Sequence, residues 1–96
     1  MPALVIIDLE VHDFDLMARY EEQAIGLLEK YNARPIVRNF EADLYEGERR
    51  PSWLVVLEFP DKDTVRAFYD SPEYQPMKQL RWKAAKSKSI VVTETL

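Results

Sequence analysis

The run Trp53, Leu54, Val55, Val56, Leu57, Glu58, Phe59, Pro60, followed by a short polar-flanked stretch and then Ser71, Pro72, Glu73, Tyr74, decides how this chain folds. Its residues up to Phe59 are apolar except Glu58, and Pro60 stops them. A strand with one wet face would alternate, so the pattern predicts a central strand covered on both faces. The rest of the chain must then supply two covers: a helical layer on one side and something else, such as a second subunit, on the other.

Toward the N-terminus, Ala3 to Leu9 is aliphatic apart from Asp8 and carries the β-branched residues Val5, Ile6 and Ile7, which predicts a second strand of the same kind. Asp13 can cap a helix, with Asp15 in its positive first turn. Leu16, Met17, Tyr20, Ala24, Leu27, Leu28 and Tyr31 then recur at three- and four-residue steps, the stripe of an amphipathic helix of about five turns. Asn32 tolerates the left-handed conformation and ends it. Ile36 to Tyr45 reads as a strand joined to the Trp53 strand by a hairpin turning near Glu46, Gly47 and Glu48.

Beyond Pro60, Asp61 can cap a short helix that carries Val65, Phe68 and Tyr69 inward. Ser71 and Pro72 read as a fresh cap and first-turn proline, while Pro76, which has no amide to give, predicts a kink or a later start. From Tyr74 the inward stripe runs Met77, Leu80, Arg81, Ala84 and Ala85, and Ser89 to Thr95 closes the chain as a strand.

This order is the split βαβ plan: an α+β, ferredoxin-like βαββαβ chain with a four-stranded antiparallel sheet. Right-handed crossovers set the strands in the order fourth, first, third, second. Two helices cover one sheet face and leave the other bare over roughly 19 by 17 Å. Alternation puts Leu4, Ile6, Leu54 and Val56 on one face and Val5, Ile7, Val55 and Leu57 on the other, so neither suits water. The expectation is a single domain over residues 1–96 that forms a homodimer, sheet against sheet.

The formal charge of −4 disfavours nucleic acid and anionic membranes as partners, since both need a clustered basic surface. The absence of cysteine removes disulfides, thiolate metal sites and a cysteine nucleophile, and fits a reducing, cytoplasmic setting. Met1 to Glu10 is too short and too acidic for a signal peptide or a membrane span. His12 is the one histidine and has no companion ligands, so no metal, haem or other cofactor is expected.

Asp8 and Glu58 are the carboxylates set into apolar strands. With the first and third strands antiparallel, Glu58 falls beside Leu4 and Asp8 beside Leu54, roughly 13 Å apart, which is too far for paired-carboxylate chemistry. A hairpin turning around Gly47 to Arg49 would set Arg38 opposite or diagonal to Glu58, making the two a candidate catalytic pair or a plain structural ion pair. Tyr20, Tyr69, Tyr74 and Arg81, on or near inward helix stripes, are candidate ligand-binding residues, with core packing as the competing reading for the tyrosines. Arginine seldom enters a core unpaired, so Arg81 binds either an anionic ligand or a carboxylate such as Glu58 or Glu73. The candidate function is a cofactor-independent enzyme acting on a small carbonyl or phenolic compound, against a non-catalytic binding or structural protein.

The run Val55 to Pro60, then Ala67, Phe68, Tyr69, Asp70, Ser71, Pro72, Glu73, Tyr74, Gln75 and later Leu80, Arg81, Ala84, Ala85, resembles the family numbered 1330 among the domains of unknown function. The most specific part is the Tyr, x, Ser, Pro, Glu, Tyr, Gln run at Tyr69 to Gln75. The resemblance implies the dimeric α+β barrel superfamily, which includes small monooxygenases, isomerases and haem-handling proteins, and implies no particular reaction. Where such proteins tend to carry paired glycines, this chain has Asn32 with Ala33 and Asn39 with Phe40, which implies a pocket that is smaller or filled.

Overall fold

The computed structural model describes residues 1–96. In chain order it contains β1 (Ala3–Val11), α1 (Phe14–Lys30), β2 (Arg34–Asn39), β3 (Leu54–Phe59), α2 (Lys62–Asp70), α3 (Tyr74–Ala84) and β4 (Ala85–Glu94). The four strands form one antiparallel sheet in the order β2-β3-β1-β4, so the chain is α+β and ferredoxin-like, with the second helical segment broken in two. Its extents of 34 × 33 × 16 Å are those of a slab two layers thick.

The central pair β1 and β3 has the register that alternation predicts, with Leu4 opposite Glu58 and Asp8 opposite Leu54. Val5, Val55, Leu57 and Phe59 are buried toward the helices; each such side chain contributes about 1.5–3 kcal/mol. Leu4, Ile6, Leu54 and Val56 point to the other face, which no element of the chain covers, and are half-buried by one another. On the edges, Pro35 withholds a donor from β2, and Lys86 and Lys88 put charge on β4, both of which discourage a further strand.

The helix ends follow the sequence closely. Asp13 Oδ1 accepts the Leu16 N–H at 3.0 Å and Asp61 Oδ1 accepts the Thr64 N–H at 2.7 Å. Asn32 takes φ 58° just past α1. The turn between α2 and α3 is held by Ser71, whose Oγ accepts the Tyr74 N–H at 3.2 Å and donates to the Phe68 carbonyl at 2.8 Å. Helix α3 therefore starts at Tyr74, and Pro76 falls in its first turn, where an amide has no intrahelical partner to lose.

Two strands have different limits from those the sequence predicts. The second runs Arg34–Asn39 rather than Ile36 to Tyr45, because Asn39 Oδ1 accepts the Glu41 N–H at 2.8 Å and turns the backbone out of the sheet. Residues 40–53 form a long connection instead of a tight hairpin, and Gly47, at φ 128°, supplies a bend that a side chain would strain. The last strand starts at Ala85, directly from α3, rather than at Ser89, and follows β1 through a bulge at Asp8/Leu9. His12 meets the end of α3: its backbone N–H donates to the Ala84 carbonyl at 3.0 Å and its Nε2–H to the Lys83 carbonyl at 2.9 Å. No helix is long and apolar enough to cross a membrane.

Candidate ligand-binding cleft

Between the helices and the sheet lies a cleft of about 100 Å³. Its floor is the helix-facing side of the sheet, including Val5, Val55 and Leu57, and its polar lining comes from Tyr20, Glu21, Arg38, Tyr69, Tyr74 and Arg81. The cleft is open, and none of the residues at the glycine positions, Asn32, Ala33, Asn39 and Phe40, lines it. Asn32 adopts the left-handed backbone that a glycine would take, and the Phe40 ring stacks on Trp53 with centroids 6.1 Å apart.

The Ser71 turn sets the aromatic wall. It brings Tyr74 to 4.6 Å from Phe68 and 5.7 Å from Tyr69, centroid to centroid. Gln75 Nε2 ties the turn back, donating to the Tyr69 and Ser71 carbonyls at 3.0 and 2.9 Å. Glu73 fastens it to α1 by accepting from Lys30 Nζ at 2.8 Å. From α1, the Tyr20 hydroxyl meets that of Tyr74 at 2.7 Å in the buried interior. Burial, with Tyr74 beside it, holds the Tyr20 phenol well above its ordinary value, so it stays protonated at neutral pH.

Arg81 is the most deeply buried of the polar lining residues. Only 2% of it is exposed, and Nη1 donates to Ser87 Oγ at 3.0 Å from the start of β4. Nε and Nη2 are buried with no partner. Neither carboxylate considered from the sequence reaches it: Glu73 holds Lys30, and Glu58 holds Arg34 at 3.1 Å.

The proposed pairing of Arg38 with Glu58 is corrected by the register. A bulge between Pro35 and Val37 sets Arg34 opposite Glu58 and Arg38 opposite Val55. Glu58 thus sits on the uncovered sheet face, away from the cleft. Arg38 is on the helix side, where Nε and Nη2 donate to the two carboxylate oxygens of Glu21 at 2.9 and 3.2 Å and its guanidinium lies 4.6 Å over the Phe40 ring. The Glu21 hydrogen bond raises the Arg38 pKa further. Of the six residues singled out in the sequence, five line the cleft and Glu58 does not. Ser87 was missed, although Ala85, Lys86, Ser87, Lys88 and Ser89 alternate small and charged residues with the period of a strand.

A two-layer ferredoxin-like domain with a small aromatic cleft beneath its helices is the class that these features define. The chain belongs to the family described as Domain of unknown function (DUF1330), whose model matches residues 2–95. No curated protein matches it. Among solved structures it is similar to a protein of unknown function from Rhodopseudomonas palustris, with TM-score 0.82 at 12% identity, covering 99% of this chain and 82% of that one. It is also similar to a dimeric ferredoxin-like protein of unknown function from Jannaschia sp., with TM-score 0.77 at 15% identity over 99% and 100% of the two chains. A third likeness is to SnoaB, a cofactor-independent oxygenase from Streptomyces nogalater, with TM-score 0.75 at 12% identity over 99% and 93%.

Proposed function

We propose that this protein is a homodimer that binds a small carbonyl or phenolic compound in the cleft. The observation that carries the reading is Arg81, a buried guanidinium with two unpartnered nitrogens among hydrocarbon and aromatic rings. Each unsatisfied buried donor costs about 1–3 kcal/mol, a cost that a ligand oxygen offsets. The Tyr20–Tyr74 pair offers a second polar point, and a protonated Tyr20 suits holding an oxygen rather than abstracting a proton.

Support for the dimer comes from the uncovered face, where Ile6, Val56 and half-exposed Val91 stand side by side between the ion pairs Arg34–Glu58 and Arg49–Asp8. The similar protein from Jannaschia sp. is described as dimeric.

Cofactor-independent turnover is the second reading, favoured by donors that would stabilise an enolate or phenolate and by the description of SnoaB. Binding ranks first because Glu58 is off the site and the carboxylate that lines it, Glu21, is held by Arg38. The test is a panel of small carbonyl and phenolic compounds, with Trp53 fluorescence reporting binding and oxygen uptake reporting turnover. Saturable change at Trp53 supports the cleft as a site; a flat response to the whole panel removes it.

A further inference from the structure

We infer that the ligand of this cleft carries a carboxylate on a small apolar body, and that Arg81 takes it side-on through Nε–H and Nη2–H. This rests on the cleft being the binding site proposed above and assigns its ligand a carboxylate in place of the neutral carbonyl or phenol group named there. A guanidinium presents one edge on which Nε–H and the adjacent Nη2–H run parallel, spaced to meet the two oxygens of a carboxylate. Those are the two nitrogens left without a partner, while Nη1, on the far side, is tethered to Ser87 Oγ. Ser87 therefore fixes one end of the group and leaves the two-pronged edge unengaged. An alcohol, phenol or ketone oxygen cannot neutralise the charge, whereas a carboxylate does so while accepting both bonds.

The charge and size of the site select among anions. Arg38 and Arg81 are its cations and Glu21 its one carboxylate, so the cleft carries a net single positive charge that a monoanion cancels. Arg38 is already held by both oxygens of Glu21, which leaves Arg81 to meet the ligand. An apolar cavity of roughly 150 Å³ takes benzene. A cleft of about 100 Å³, two thirds of that, thus suits a body of about four carbons. Because Nε and Nη2 are shielded from solvent, the inference requires the guanidinium to turn toward the cleft about its single tether to Ser87 when the ligand binds.

The experiment uses the full chain with Trp82→Phe, which removes an exposed tryptophan and leaves Trp53 as the sole indole. Isovalerate and benzoate are titrated against their neutral isosteres isovaleramide and benzamide, with phenol and inorganic phosphate in parallel. The expected result is saturable binding of an acid at least about tenfold tighter than its amide, with the advantage lost in Arg81→Lys, which keeps the charge but not the parallel donors. Equal binding of acid and amide, or of phenol, overturns the carboxylate assignment while leaving the cleft a binding site. Tighter binding of phosphate overturns it in favour of another anion. No response at Trp53 to any compound overturns both this inference and the function it rests on. If Arg81→Lys does not fold, the acid-to-amide ratio in the parent protein decides alone.

Discussion

Tyr20 and Tyr74 join α1 to the first residue of α3 through a hydroxyl–hydroxyl hydrogen bond of 2.7 Å, 54 residues apart in the chain. Both side chains are buried. Tyr20→Phe leaves Tyr74 without its partner and is expected to cost about 1–2 kcal/mol at neutral pH, measured by urea unfolding.

The same pair gives a pH dependence with a definite sign. The folded pKa of Tyr20 is raised, so its contribution is fully present below the ordinary phenol value of about 10 and is lost as pH rises from there through the folded value. The stability gap between the parent and Tyr20→Phe should narrow above about pH 10. Tyrosine absorbance should also show a late ionisation step that the variant lacks. A gap that widens with pH would contradict the buried, protonated Tyr20.

Arg81→Met places an apolar side chain of similar length where a buried charge now lacks partners. The ligand-free protein should be as stable as the parent or more so, by about 1–2 kcal/mol, while losing ligand binding. Chemical denaturation checks this, and a loss above about 2 kcal/mol would mean that the guanidinium is satisfied in the fold by groups not recognised above.

The ion pairs can be read by double-mutant cycles. Arg34 with Glu58 and Arg38 with Glu21 are exposed pairs and should each couple by about 0.2–1 kcal/mol. Arg38 with Glu58, on opposite faces, should show no coupling. Coupling between Arg38 and Glu58 would restore the hairpin register that the sequence suggested.

Val56→Asp sets a charge on the uncovered sheet face. The parent is expected to sediment at about twice 11.3 kDa and the variant as a monomer of reduced stability. A monomeric parent would remove the dimer from the proposal.

Much of the fold was legible because β1 and β3 are patterned on both faces. Their aliphatic runs set the strand order, and Leu4 does face Glu58 as Asp8 faces Leu54. The pairing of Arg38 was not legible, since it hangs on the Pro35/Val37 bulge and on the Asn39 turn, and one residue of slip reverses a strand's faces. Periodicity could mark Tyr20, Tyr74 and Arg81 as inward. It could not show that the two tyrosines satisfy each other while Arg81 stays two donors short, because that depends on how α1, α3 and β4 meet.

The most direct test of a ligand site built on Arg81 is the ¹H–¹⁵N resonance of its Nε–H, assigned by its loss in Arg81→Met. It is followed while isovalerate, and separately phenol, is added. At least one of them is expected to move the Nε–H signal downfield saturably, in step with the Trp53 indole. An Nε–H signal that stays fixed to the end of both titrations would contradict it.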